Sequence, residues 1–304
     1  MPTQRHLLLC FDAFGTLFTP KRPIPQQYGD VARSLGLSGF TDDQVHSSFR
    51  AAFKAEAKKN PTFGKANGMD PTTWWTNIIH NTFHPLTNPD NNNNNTSLPP
   101  DLAPKLLHRF ASEEGYNLAP GTIPLLQTLR AIPPAPIDKL AIGIITNSDD
   151  RVPGILTSLG LRVSPLVYSG DNSSTVPNPE EEYDIDFTVL SYDVGHEKPD
   201  RRIFDAAEEL LISLPIAQGT EAGEWQKVYV GDEYGKDVVG AGAAGWGAVL
   251  LGEDAAEIHD DVLRISEGHG GDLLEVLHAG QAVSVKDFTV LAQSLGLPTS
   301  QSEP

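Results

Sequence analysis

Apolar residues run uninterrupted from Leu7 to Phe11 and stop on Asp12, and the same arrangement returns along the chain. Leu140 to Ile145 stops on Thr146-Asn147-Ser148. Phe187 to Leu190 stands ahead of Gly195-His196-Glu197-Lys198-Pro199-Asp200, Val228-Tyr229-Val230 runs into Gly231-Asp232, and Ala248 to Leu251 closes the set. Runs this short predict strands covered on both faces. Between them the spacing turns helical over Thr122 to Arg130, over Arg151 to Leu159, behind Pro199 at Ile203, Phe204, Ala207, Leu210 and Leu211, and from Tyr234 through Ala244. Strands alternating with helices predict an α/β fold with a parallel, doubly wound sheet. The carboxyl ends of its strands open on one edge, where such sheets bind ligands.

Residues 20–117 break this alternation and read as a helical module inserted after the first strand. Thr41 and Gln44 form a T-x-x-Q capping box ahead of Val45, Phe49, Ala52 and Phe53. Asp70 and Pro71 open a second helix with Trp74 and Trp75 on adjoining faces, and a third starts near Asp101, with Pro104 tolerated in its first turn. The Asn91 to Asn95 run has nothing to bury and predicts a loop tip. The domains are then 1–19 together with 118–304, and the insertion 20–117. The Ser-, Asn- and acid-rich stretch from Ser169 to Asp186 reads as a solvated insertion, and the tail from Ile265 carries two weak amphipathic stretches without evident chemistry.

Charge narrows the partners. With 22 Lys plus Arg against 40 Asp plus Glu, the net charge of -18 repels nucleic acid and anionic membranes, so neither is an expected partner. No apolar stretch approaches a membrane span, and no secretory signal pattern stands at the N-terminus; the expected location is intracellular, in cytoplasm or nucleus. The single cysteine, Cys10, agrees with a reducing compartment and reads as a small apolar strand residue. Its neighbourhood lacks the arginine that a thiol phosphatase needs, because six residues on stands Thr16.

The polar strand ends form an ordered set: Asp12 with Thr16, then Thr146 and Asn147, then Lys198, then Asp232 and Asp237. One acid after a strand is an ordinary turn former, but four such ends in one sheet point to chemistry. A carboxylate that attacks phosphorus meets an anion and requires a cation between them. Asp12 and Asp232 are suited to share Mg2+, a hard ion that prefers oxygen ligands. Lys198 would neutralise the attacking and transferring groups, Thr146 and the amides after Asp12 would hold equatorial oxygens, and Asp237 would orient a metal-bound water.

Four segments carry a family resemblance: Asp12-Ala13-Phe14-Gly15-Thr16-Leu17, Ile144-Ile145-Thr146-Asn147-Ser148, Lys198-Pro199-Asp200, and Gly231-Asp232-Glu233-Tyr234-Gly235-Lys236-Asp237. In this order the chain resembles the haloacid dehalogenase (HAD) superfamily of hydrolases from about Leu7 to Leu251. The resemblance implies a Rossmann-like core with an inserted α-helical cap, and a hydrolase acting on a small phosphorylated or halogenated metabolite with Mg2+ as cofactor. It implies Asp12, Thr146 and Lys198 as catalytic residues, Thr16 and Asn147 as substrate-binding residues, and Asp12, Phe14, Asp232 and Asp237 as metal-site positions. The chain departs from the phosphatases at Phe14, where they carry a second aspartate that protonates the leaving group and then activates water. An aromatic there is similar to the true dehalogenases, whereas Asp232 and Asp237 are of the phosphatase type. Three readings stay open: a Mg2+-dependent phosphohydrolase with an impaired first motif, a metal-independent 2-haloacid dehalogenase, and a binding or regulatory module that keeps the fold. The Gly240-Ala241-Gly242-Ala243-Ala244-Gly245 run matches a dinucleotide fingerprint but lacks the preceding strand, and is expected to pack a helix on the sheet.

Overall fold

The computed structural model of the chain describes residues 5–87, 97–131, 137–170, 177–178, 180–252, 259–266 and 273–298. The Asn91 to Asn95 run lies outside these residues, as do the polar end from Thr299 and residues 171–176 and 179 of the 169–186 stretch. The chain divides into two compact units, Met1–Thr19 with Leu118–Ser148 and Gly160–Pro304, and Pro20–Asn117 with Asp149–Leu159. Residues 149–159, which follow the second polar strand end, thus group with the helical segment.

The strands in chain order are β1 (Arg5–Phe11), β2 (Phe18–Pro20), β3 (Tyr116–Leu118), β4 (Ile137–Thr146), β5 (Phe187–Leu190), β6 (Trp225–Gly231), β7 (Gly247–Leu251), β8 (Val262–Arg264) and β9 (Ala282–Val285). Seven form one sheet in the order β5-β4-β1-β6-β7-β9-β8, and every pairing in it is parallel. This is the Rossmann-like core expected from the alternation of strands and helices. The sheet extends further than the apolar runs indicated, because β8 and β9, three and four residues long, are too short to stand out as apolar runs.

β1 lies third in the sheet, between β4 and β6, and its side chains alternate between two buried layers. Leu8 and Cys10 join Phe187, Val189, Ile203, Phe204, Ala207 and Leu211 in one cluster, so helix Arg202–Ser213 covers that face. On the other side Phe11 meets Phe288 edge-on at 6.0 Å, which seats helix Phe288–Ser294 there. With both faces covered, Leu7, Leu8, Cys10 and Phe11 are fully buried, which is why the run lacks polar alternation. Helix Val239–Ala244 contains the glycine run, and Gly240 packs against Pro199 with no room for a side chain.

The helical unit is built from Ile24–Ser34, Asp42–Lys59, Pro71–Thr87, Leu102–Arg109 and Arg151–Ser158. The capping box forms as read: Gln44 N–H donates to Thr41 Oγ1 at 3.2 Å and Thr41 N–H to Gln44 Oε1 at 2.8 Å. Asp70 Oδ1 accepts from Thr73 N–H at 2.8 Å, capping the helix that begins at Pro71. Trp74 is buried with Ala52 and Ile78, while Trp75 donates Nε1–H to the buried Asp149 at 2.7 Å.

Candidate active site

Asp12 stands one residue beyond β1, and its N–H donates to Val230 O at 2.8 Å, so the ladder between β1 and β6 still fixes its backbone. The chain then reverses tightly. Gly15 N–H donates to Phe18 O at 2.9 Å and Leu17 N–H to Ala13 O at 2.8 Å, while Ala13 N–H turns back onto Asp12 Oδ1 at 2.8 Å. Gly15 holds φ +90, and a side chain there would strike the Asp232 carboxylate. Glycine is therefore required twice, for the turn and for the close approach.

Asp232 follows β6 directly. The fully buried Thr16 donates Oγ1–H to Asp232 Oδ1 at 2.8 Å. The next turn is a π-helix, Tyr234–Val238, a widening common at functional sites, and it directs Asp237 back toward the strand end. Asp237 Oδ2 accepts from Glu233 N–H at 2.8 Å, and its side chain lies against Gly231, where a Cβ would collide with it.

Lys198, whose side chain is 1% exposed, joins these acids. Its Nζ stands 3.0 Å from Asp12 Oδ1 and donates to Asp237 Oδ1 at 2.7 Å and to Tyr229 OH at 2.6 Å. Asn147 clamps the Lys198 backbone from both sides: Lys198 N–H donates to Asn147 Oδ1 at 2.7 Å, and Asn147 Nδ2 donates to Lys198 O at 3.0 Å.

Asp12, Asp232 and Asp237 each present a carboxylate oxygen within 4.8 Å of the others. Burial pushes the Asp232 carboxyl above the usual range, the Thr16 hydrogen bond opposes this, and the Asp12 charge adds to it. Burial likewise raises Asp237 to about 6, against the pull of Lys198 and with the push of Asp12. Three converging carboxylates with one ammonium leave negative charge in excess. The all-oxygen donor set fits Mg2+, whose two charges balance that excess.

The structure brings together Asp12, Thr16, Asn147, Lys198, Asp232 and Asp237. Of the two residues expected to touch substrate, the Thr16 hydroxyl is bonded to Asp232 and the Asn147 amide to the Lys198 backbone. The amides of Ala13, Gly15 and Leu17 are engaged inside the turn, because so tight a reversal closes on its own donors. Thr146 is buried at the end of β4, in register with Leu190. Phe14 is 45% exposed and meets Phe18 edge-on at 6.0 Å. Its side chain has no ligand atom, so only its backbone carbonyl could serve a metal. Tyr229 is the participant that sequence reasoning missed, and its one signal was a hydroxyl inside the apolar strand Val228-Tyr229-Val230.

No family model matches the chain. An uncharacterized hydrolase of Schizosaccharomyces pombe is 31% identical over 245 residues, which cover 81% of this chain and 90% of that protein. Haloacid dehalogenase-like hydrolase domain-containing protein 3 of Danio rerio is 28% identical over 253 residues, 83% of this chain and 88% of its own length. Among solved structures, a HAD-hydrolase of Bacillus subtilis bound to magnesium matches with a TM-score of 0.54 and 14% identity, covering 96% of this chain and 100% of that one. At that identity the structural likeness speaks for the fold alone.

Proposed function

The chain belongs to the haloacid dehalogenase-like hydrolases, and from that premise we propose that it is a Mg2+-dependent phosphohydrolase with Asp12 as nucleophile, limited to substrates whose leaving group needs no protonation. The observation that carries this reading is the convergence of Asp12, Asp232 and Asp237 around the Lys198 ammonium at the carboxyl ends of the central strands. Asp12 and Asp232, with the Phe14 carbonyl, would hold the ion. Mg2+ bound there supplies the positive charge that lets a carboxylate approach a phosphoryl group.

Lys198 holds Asp12 Oδ1, leaving Asp12 Oδ2 as the attacking oxygen. Attack on phosphorus forms an aspartyl phosphate and breaks the bond to the leaving oxygen, which departs as an anion. Water then hydrolyses the acyl phosphate, regenerating Asp12 and releasing inorganic phosphate. Lys198, with Thr146 at the neighbouring strand end, faces the charge that develops on the transferring group. Asp237, already bonded to Lys198 and to the Glu233 amide, orients Lys198 and would help hold the ion's charge at the site. Phe14 offers neither proton donor nor base, so both half-reactions lack a contribution worth about 10²–10⁴-fold.

A steep dependence on the leaving group follows. Acetyl phosphate and p-nitrophenyl phosphate are expected to be hydrolysed slowly with Mg2+, alkyl phosphates by comparison hardly at all, and Asp12→Asn is expected to abolish the activity. Equal rates in excess chelator, or a flat dependence on leaving-group pKa, overturn the reading. Phe14 also favours a second reading, 2-haloacid dehalogenation, in which halide leaves without a proton. Chelator-insensitive halide release from 2-halo acids is its signature, and the acidic pair Asp232 and Asp237 weighs against it.

A further inference from the structure

We infer that Tyr229 is a positioning residue that aims the Lys198 ammonium at Asp12. A lysine ammonium has three donors on a flexible stem, and its direction is set by the partners those donors take. Here two donors make hydrogen bonds, to Asp237 Oδ1 at 2.7 Å and to Tyr229 OH at 2.6 Å, and these two bonds leave the ammonium 3.0 Å from Asp12 Oδ1 as an ion pair. The hydroxyl has one proton, and Ile145 O, 2.6 Å away, can only accept it. Tyr229 therefore donates to Ile145 and presents a lone pair to Lys198, a polarity with no alternative.

The placement comes from the sheet. Tyr229 lies on β6 and Ile145 on β4, with β1 between them, so the side chain spans the width of a strand. In register Tyr229 pairs with Cys10 and Cys10 with Gly143, where a side chain would strike the Phe187 ring. Phe204 meets the ring edge-on at 5.3 Å and fixes its plane. Burial, reinforced by the charges of Asp12 and Asp237, pushes the Tyr229 hydroxyl well above its ordinary range, so it keeps its proton. The Lys198 direction is thus tied to the backbone of the central strands.

The catalytic arm of the test rests on the phosphohydrolase reading, and the other arms do not. Tyr229→Phe removes only the hydroxyl. With Mg2+ and acetyl phosphate, kcat is expected to fall roughly tenfold, the size of one charge-assisted hydrogen bond, with KM held within about twofold. Acetic anhydride labelling of Lys198 in the full chain, read by peptide mass spectrometry against the exposed Lys105, is expected to rise by a similar factor. Unchanged kcat and unchanged labelling overturn the inference, as does a loss carried by KM alone. Should Tyr229→Phe fail to fold, 3-fluorotyrosine at position 229 keeps ring and hydroxyl, and its 19F resonance is expected to move in Lys198→Met; no movement overturns the contact. If the wild type hydrolyses no phosphate while labelling and fluorine signal respond, the positioning role stands and the phosphohydrolase reading fails.

Discussion

Thr16 and Asn147 are each bonded to another residue of the candidate site. Each was legible as a polar residue at a strand end, and neither sequence position indicated which partner it would take. The Thr16 hydroxyl fixes Asp232 Oδ1 at 2.8 Å, and the two residues are 216 positions apart. Outer hydrogen bonds of this kind typically change metal affinity 10–100-fold. Thr16→Val keeps the buried shape and removes the donor, so it is expected to weaken Mg2+ binding about tenfold while shifting Tm little. Titration calorimetry with Mg2+ alone checks this, and an unchanged Kd would show that the bond does not orient a ligand. Phe14 was legible as a departure from the phosphatases of the family that the chain resembles, since only the identity at one position matters there.

Elements were legible where their own residues define them. The Thr41 and Asp70 caps announced two helices because capping is a contact within four residues. What local pattern did not reveal is the grouping of Arg151–Ser158 with the helical unit. That grouping is held by Asp149, whose carboxylate accepts from Arg151 Nε at 2.7 Å, Arg151 Nη2 at 2.8 Å and Trp75 Nε1 at 2.7 Å, with the guanidinium 4.5 Å from the Trp75 ring centre. Asp149 is fully buried, so its removal strands a largely buried cation. Asp149→Ala is expected to cost about 3–5 kcal/mol in urea unfolding, and Asp149→Ala with Arg151→Met to recover much of it. A double variant no more stable than the single would mean that the acid, rather than the stranded charge, dominates.

For the whole molecule the relevant balance is a chain of net charge -18 that concentrates three carboxylates at one sheet edge. Among the described residues no helix is long and apolar enough to cross a membrane. Asp237, raised to about 6 in the fold, ionises near 4 when unfolded, so between these values the native state binds more protons and rising pH removes stability. Asp232, raised in the same direction, acts with the same sign. The Mg2+-free protein is therefore expected to lose stability from this site as pH climbs from about 4 to about 6, and added Mg2+ to raise Tm more at pH 7.5 than at pH 5. Equal shifts at the two pH values in thermal unfolding would show that these acids do not bind the ion. The sequence by itself determined five strands of the sheet, most of the helices, their alternation and the order of polar strand ends, because each is written in apolar runs, caps and turns a few residues long. Only the tertiary structure decided that β8 and β9 extend the sheet, that Tyr229 reaches both Lys198 and Ile145, and that Thr16 serves Asp232. Those partners lie far apart in the chain and meet through strand order and register, which crossovers set and no local pattern encodes.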